Sequence, residues 1–129
     1  MVVDTSAILA ILLGEDDAER YARAIAEAGR NLVSSVSLLE AGIVVEARKG
    51  ESGGRDLDLL VARAGMECVA FTPEQAELAR EAWRRFGKGR HPAALNMGDC
   101  CAYALSKYAG ESLLFKGEDF RLTDVVGEL

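Results

Sequence analysis

The sequence is poor in the residues from which several classes of protein are built. Its three cysteines, Cys68, Cys100 and Cys101, are odd in number, two are adjacent, and none has the spacing of a zinc site or a disulfide framework. They read as small buried hydrophobes. No apolar run approaches the roughly 20 residues that span a bilayer. The N-terminal apolar segment has no basic region ahead of it. Neither a membrane span nor a secretory leader is therefore expected, and the chain reads as cytoplasmic. Positive charge is also in deficit. The formal net charge of −6 argues against a general nucleic-acid coat, which rests on an excess of Lys and Arg. It does not exclude a nuclease, because acids gathered in one cleft hold divalent cations that reverse the local field and admit a phosphodiester. Internal repeats, low-complexity tracts and linkers are absent.

What is present is one core's worth of apolar residues, half of a 129-residue chain, which predicts a single domain over 1–129. Val2 and Val3 suit a short buried strand, and Ala7 to Leu13 a helix. Ser6 or Asp4 is placed to cap that helix. After the turn at Gly14, Asp16 or Asp17 can cap a second helix running to Ala28. Leu32 to Ser34 is a second strand, and Ser35 opens a third helix that continues to Gly50. Glu51 to Gly54 reads as a polar turn before a fourth helix that stops at Gly65. Met66 to Phe71 is the third strand. Thr72-Pro73-Glu74-Gln75 is a strong helix start, with Thr72 as cap, Pro73 in the first turn and Gln75 completing a capping box. That helix runs to about Phe86, with Trp83 assigned to its core face. Gly87 to Leu95 is a loop, Asn96 caps a helix over Met97 to Ala109, and Ser112 to Phe115 is the fourth strand. The remaining residues form a turn and then an edge strand or tail. Strands alternating with helices of this length predict an α/β sandwich, a mostly parallel sheet with helices on both faces.

Four acids fall at one edge of such a sheet. Asp4 ends the first strand, Glu40 follows the second, Asp99 opens the helix before the fourth, and Asp119 follows the fourth. In open parallel sheets the carboxyl edge is where ligands bind. Carboxylates gathered there repel one another and raise their own pKa values unless a cation neutralises them, which makes an oxygen site for Mg²⁺ or Mn²⁺. Each acid also has a structural reading. Asp4 can cap, Glu40 lies at capping-box spacing from Ser37, Asp99 favours the helix dipole, and Asp119 suits a turn. Ser6 can cap its helix, or its hydroxyl can orient a carboxylate, a water or a phosphate oxygen.

The order and spacing of these pieces carry a resemblance. Val3-Asp4-Thr5-Ser6-Ala7, Ser35-x-x-x-x-Glu40, Asn96-x-Gly98-Asp99-Cys100-x-Ala102-Tyr103-Ala104 and Leu114-Phe115-Lys116-Gly117-x-Asp119-Phe120 resemble the PIN-domain ribonucleases, and in particular the VapC toxins of toxin–antitoxin pairs. The resemblance spans the whole chain. It implies a PIN-like three-layer sandwich in which Asp4, Glu40, Asp99 and Asp119 fall on the family's acidic positions and Ser6 on its hydroxyl position. The activity implied is Mg²⁺- or Mn²⁺-dependent cleavage of RNA, with Asp4, Asp99 and Asp119 as metal ligands and Glu40 orienting or deprotonating the attacking water. A homodimer and a small antitoxin covering the cleft are the implied partners.

A positive surface for RNA is offered by Arg84, Arg85, Lys88 and Arg90, at the end of one helix and in the loop leading to Asp99. The same cations also suit the C-terminal dipole of a solvated helix end. His91, the only histidine, reads as a loop residue. An apolar patch of Ile11, Leu12, Leu38, Ile43 and Val44 is divided between core packing and a partner surface. Two other readings remain open: a related nuclease or phosphohydrolase acting on a non-RNA phosphoester, and a non-catalytic protein whose acids bind a cation or a basic partner.

Overall fold

The architecture follows from two- to four-residue strands, two of which, Val2–Val3 and Leu113–Leu114, are wholly apolar and buried, so that both faces of the sheet must be covered. In the computed structural model, which describes residues 1–129, β1 (Val2–Val3), β2 (Asn31–Ser34), β3 (Met66–Val69) and β4 (Leu113–Leu114) form one parallel sheet in the order β3-β2-β1-β4. Val2 is in register with Leu32 and with Leu113, and Val3 with Leu114. Side chains alternate across a strand, so Val2, Leu32 and Leu113 enter one core while Val3, Val33 and Leu114 enter the other. The first core is closed by α4 (Pro73–Phe86) and α5 (Met97–Ala109). The second is closed by α1 (Thr5–Leu12), α2 (Ala18–Glu27) and α3 (Ser35–Arg63). The expected three-layer α/β sandwich is therefore the observed one.

The chain steps from β1 outward to β3 and then crosses back to β4 on β1's other side. This places a topological switch point between β1 and β4, where the crevice of an open parallel sheet lies. The helices bordering it are firmly started. Thr72 Oγ1 accepts from the Gln75 N–H at 3.2 Å with Pro73 in the first turn, and Asn96 and Asp99 form a reciprocal capping box.

Several boundaries differ from the expected ones, each for a local reason. The first helix begins at Thr5 and its cap is Asp4, not Ser6. Ser34 caps α3, accepting from the Val36 N–H, so Ser37 is buried and Glu40 has no capping-box role. The expected turn at Glu51 to Gly54 is helical, because the break falls on Gly50 alone, at φ +67°. The two arms of α3 then fold back closely. A Cβ on Gly53 would lie 2.8 Å from the Val45 carbonyl oxygen, and one on Gly54 would lie 2.9 Å from the Glu46 carboxyl carbon. The glycines thus serve close approach rather than a turn. The third strand stops at Val69, where Ala70 and Phe71 turn into the Thr72 cap. Trp83 is 45% exposed rather than core, and Cys68 is exposed on the outer strand β3. The tail makes a 3-10 turn, Asp119–Leu122, and one parallel bridge from Gly127 to Leu113. In the apolar patch, Ile11, Leu12 and Leu38 pack against the second core, whereas Ile43 is exposed together with Leu39.

Candidate active site

A two-residue strand running straight into a helix leaves little room for a connecting residue, and Asp4 fills it. Its carboxylate is 3% exposed, and Oδ2 accepts both the Ser6 N–H at 3.0 Å and the Ser6 hydroxyl at 2.6 Å. Ser6 Oγ in turn accepts from the Lys116 N–H at 2.9 Å, just beyond β4. One hydroxyl therefore ties the ends of β1 and β4 together and fixes the Asp4 rotamer. Both of the sequence-stated options for Ser6 reduce to one: it orients a carboxylate, and Asp4 does the capping. Asp4 Oδ1 accepts no hydrogen bond from the protein.

Asp99 enters from the first turn of α5, its Oδ2 accepting from the Asn96 N–H at 3.0 Å and its own N–H donating to Asn96 Oδ1 at 2.9 Å. Glu40 reaches across from α3 to the same turn. A Cβ on Gly98 would sit 2.5 Å from Glu40 Oε2, so the absence of a side chain at 98 is what lets this carboxylate lie against α5. Asp119, exposed at the start of the 3-10 turn, adds its charge to the field at Asp99.

The electrostatics are those of acids left without cations. Burial first, and then the charges of Asp99 and Glu40, raise the Asp4 carboxyl to about 6 against the pull of its two Ser6 hydrogen bonds. Burial likewise raises Asp99, with Asp119 and Glu40 adding to it and the Asn96 backbone bond opposing. None of the four acids has a Lys or Arg partner. The nearby Lys116 ammonium is held instead by Glu15 at 2.8 Å and Asp17 at 3.0 Å. Asp17, placed at the start of α2, gives its carboxylate to this pair and not to a helix cap.

A buried carboxylate with one unbonded oxygen, facing other unpaired carboxylates, has the donor chemistry of a hard divalent cation site. No three acidic, cysteine or histidine side chains lie close enough together to hold a metal ion between them. An open arrangement of this kind suits an ion that keeps waters and takes phosphate oxygens.

The basic residues divide. Arg84, Lys88 and Arg90 line an apolar trough between α4 and the start of α5, together with Asn96 and Met97. Arg85 is turned elsewhere, 3.4 Å from Asp124, with its guanidinium over Phe86. Asp124 also accepts from the Tyr103 hydroxyl at 2.7 Å and pairs with Lys107 at 3.3 Å, so this group pins the tail to α5. His91 folds back on its own loop, with Nδ1 accepting from the Ala93 N–H and its ring edge-on to Phe86. Sequence reasoning passed over Gly98, the Lys116 latch and the trough. Gly98 alone had a signal, a glycine between a cap and the acid of its capping box.

Comparison with known proteins bears on the family and the fold. A family model described as the PIN domain matches residues 1–126. A ribonuclease VapC of Mycolicibacterium smegmatis is 56% identical over 125 residues, covering 97% of each chain. Ribonuclease VapC30 of Mycobacterium tuberculosis is 53% identical, over 97% of this chain and 95% of that one. Among solved structures, Mycobacterium tuberculosis VapC20, described as a Sarcin-Ricin loop cleaving toxin, superposes with a TM-score of 0.80 at 18% identity, over 98% of this chain and 97% of the other. VapBC2 of Rickettsia felis, bound to a promoter DNA fragment, superposes at 0.75 and 18% identity, over 98% and 96%. With a family model matched along almost its entire length and relatives more than half identical to it, the chain belongs to the PIN-domain family, among the VapC ribonucleases.

Proposed function

We propose that this chain is a metal-dependent endoribonuclease and the toxin of a toxin–antitoxin pair, cleaving RNA at the carboxyl edge of β1 and β4. The observation that carries the site assignment is Asp4: a buried carboxylate with no cationic partner and an unbonded oxygen, facing Asp99 and Glu40 at the sheet's switch point. Asp4, Asp99 and Asp119 would hold the cation, Mg²⁺ or Mn²⁺, which when bound neutralises these acids, polarises the scissile phosphate and lowers the pKa of a water.

The chain's own residues do the rest. Ser6 keeps Asp4 in one rotamer and couples it to the β4 end, so the geometry is set before substrate arrives. Glu40, seated against Gly98 and close enough to act on the Asp4 charge, would take the proton of the attacking water. Water attack at phosphorus displaces the 3′ oxygen and leaves a 5′-phosphate and a 3′-hydroxyl. Arg84, Lys88 and Arg90 supply the positive flank for the RNA backbone that the acidic chain otherwise lacks. The partner is an antitoxin, as in the VapBC complex among the structural neighbours. No helix is long and apolar enough to cross a membrane.

The test is incubation of purified, antitoxin-free protein with total RNA, with Mg²⁺, with Mn²⁺ and with chelator, beside Asp4→Asn. Discrete fragments bearing 5′-phosphates, dependent on both metal and Asp4, are expected. Fragments that persist in chelator or in Asp4→Asn would remove the four acids from the chemistry, and 2′,3′-cyclic ends would replace water by the ribose hydroxyl as nucleophile.

A further inference from the structure

We propose that Lys116 is a positioning residue for the metal site, one that sets Asp119 by gripping both ends of α1 and touches neither ion nor substrate. The proposal rests on the ribonuclease reading and deepens it, since it names what holds the most exposed of the three metal-binding acids in place.

Packing does not place Asp119. Its side chain is exposed, whereas Asp4 is buried and Asp99 is fixed by its capping box with Asn96. The path of the backbone therefore decides where the Asp119 carboxylate stands. That path is a short loop between two aromatic anchors. Phe115 and Phe120 are both buried in the first core, with their ring centroids 5.2 Å apart. Between them Gly117, at φ +103° and with nothing within 4 Å of where its Cβ would be, leaves the loop a free joint. Glu118 turns to Arg121, within its own turn. Lys116 is the residue that ties this loop to the layer of helices on the other face of the sheet.

The tie is made twice. The Lys116 N–H donates to Ser6 Oγ at 2.9 Å, in the first turn of α1, and its ammonium meets Glu15 at 2.8 Å and Asp17 at 3.0 Å, just past the last turn of the same helix. One residue is thereby bonded to both ends of the helix that Asp4 caps. Asp4 and Asp119 then share a single frame, although they lie near opposite ends of the chain. The ammonium itself is neutralised where it stands by its two carboxylates. The carboxyl shifts of Asp4 and Asp99 come instead from burial, hydrogen bonds and the other acids. Side chains at 35%, 37% and 32% exposure make ion pairs that add little to stability, so this contact matters for where it holds the chain.

The test is Mn²⁺ binding to the full chain without RNA, by calorimetry, beside thermal unfolding in chelator. Lys116→Met keeps the N–H and the length of the side chain but removes both ion pairs. It should weaken Mn²⁺ binding about ten-fold, the lower end of what outer partners of metal ligands contribute, and leave Tm almost unchanged. Glu15→Gln combined with Asp17→Asn cuts the same tie from the other side and changes the net charge in the opposite direction; it should weaken Mn²⁺ binding to a similar extent. Lys116→Arg should recover most of the affinity. In an Asp119→Asn background Lys116→Met should add no further loss, because the ligand it places is gone. Unchanged affinity in Lys116→Met overturns the proposal. So does tighter binding in that variant, which would make charge and not position the effect of Lys116. An additive loss in the Asp119→Asn background would break the link to Asp119, and a large fall in Tm with either variant would make the contact a structural one. An unmodified protein that binds no Mn²⁺ would overturn the metal reading along with this one, an outcome distinct from any in which only the variants fail.

Discussion

Removing the charge of Asp4 should stabilise the metal-free protein even as it destroys activity. The carboxyl is moved from 3.8 to about 6 by burial in the folded state, so ionising it there costs about 3 kcal/mol at ~1.4 kcal/mol per pH unit. The sign is fixed by proton binding. Between about pH 4 and pH 6 the folded protein holds the Asp4 proton more tightly than the unfolded chain does, so this group's contribution to stability falls as pH rises. Above that window the full penalty is present. Asn at position 4 keeps an oxygen for the Ser6 N–H and hydroxyl and remains a good helix cap. Its amide must still be accommodated at the unbonded oxygen's position, so about 2 kcal/mol of the penalty should be recovered. For a chain of this size that is roughly 6 °C in Tm. The assay is thermal unfolding of both proteins in chelator from pH 4 to pH 8, then at pH 7.5 with excess Mg²⁺. The expected gap opens with pH, and closes when Mg²⁺ binds and stabilises only the unmodified protein; an ion at a hundred times its Kd contributes about 2.7 kcal/mol. Asp4→Asn melting at or below the unmodified protein in chelator at pH 7.5 would refute the argument. So would a gap independent of pH.

Gly98→Ala should hold or slightly raise stability, since Ala is the better helix former by about 1 kcal/mol, yet lower cleavage at least ten-fold because its Cβ displaces the Glu40 carboxylate; circular dichroism and a cleavage rate check the two halves. Ser6→Ala removes the acceptor of the Lys116 N–H and the donor to Asp4, and should cost about 1–2 kcal/mol in urea unfolding while moving the Asp4 titration, followed by carboxyl NMR, further upward. Arg84→Ala and Lys88→Ala should each reduce the slope of log affinity for single-stranded RNA against log salt by about 0.7. Arg85→Ala should leave that slope unchanged and cost under about 1 kcal/mol of stability, because its partner is the half-exposed Asp124 on the tail.

The parts of this fold that announce themselves are those where local chemistry and global position agree. Val2-Val3 running into Asp4, Thr72-Pro73 and the Asn96-Asp99 box each specify a boundary with residues whose side chains satisfy backbone groups within a turn. The layers follow from the alternation of strand and helix, which also brings Asp4, Glu40 and Asp99 into one another's field. What stayed hidden depends on neighbours far along the chain. Gly53 and Gly54 look like a turn, and become close-packed helix only because the other arm of α3 lies against them. Trp83 has the spacing of a core residue, but the backbone of Gly87 supports it at the surface. Asp17 resembles a cap until Lys116, 99 positions later, takes its carboxylate. Cys68 carries no mark of lying on an outer strand, since strand order is not written in any one segment.

The Ser6 to Lys116 hydrogen bond spans 110 positions, and β1 lies at the sheet's interior with β4 as one of its two neighbours. Asp4 therefore waits for β4, the last of the four strands in chain order, before its surroundings exist. A nascent or prematurely released product lacking β4 also lacks Asp119 and the tether on Ser6, and keeps an unpaired flank on β1. Contacts this distant in sequence also form slowly. For a protein that destroys RNA, this topology delays the competence to cut until β4 has been made.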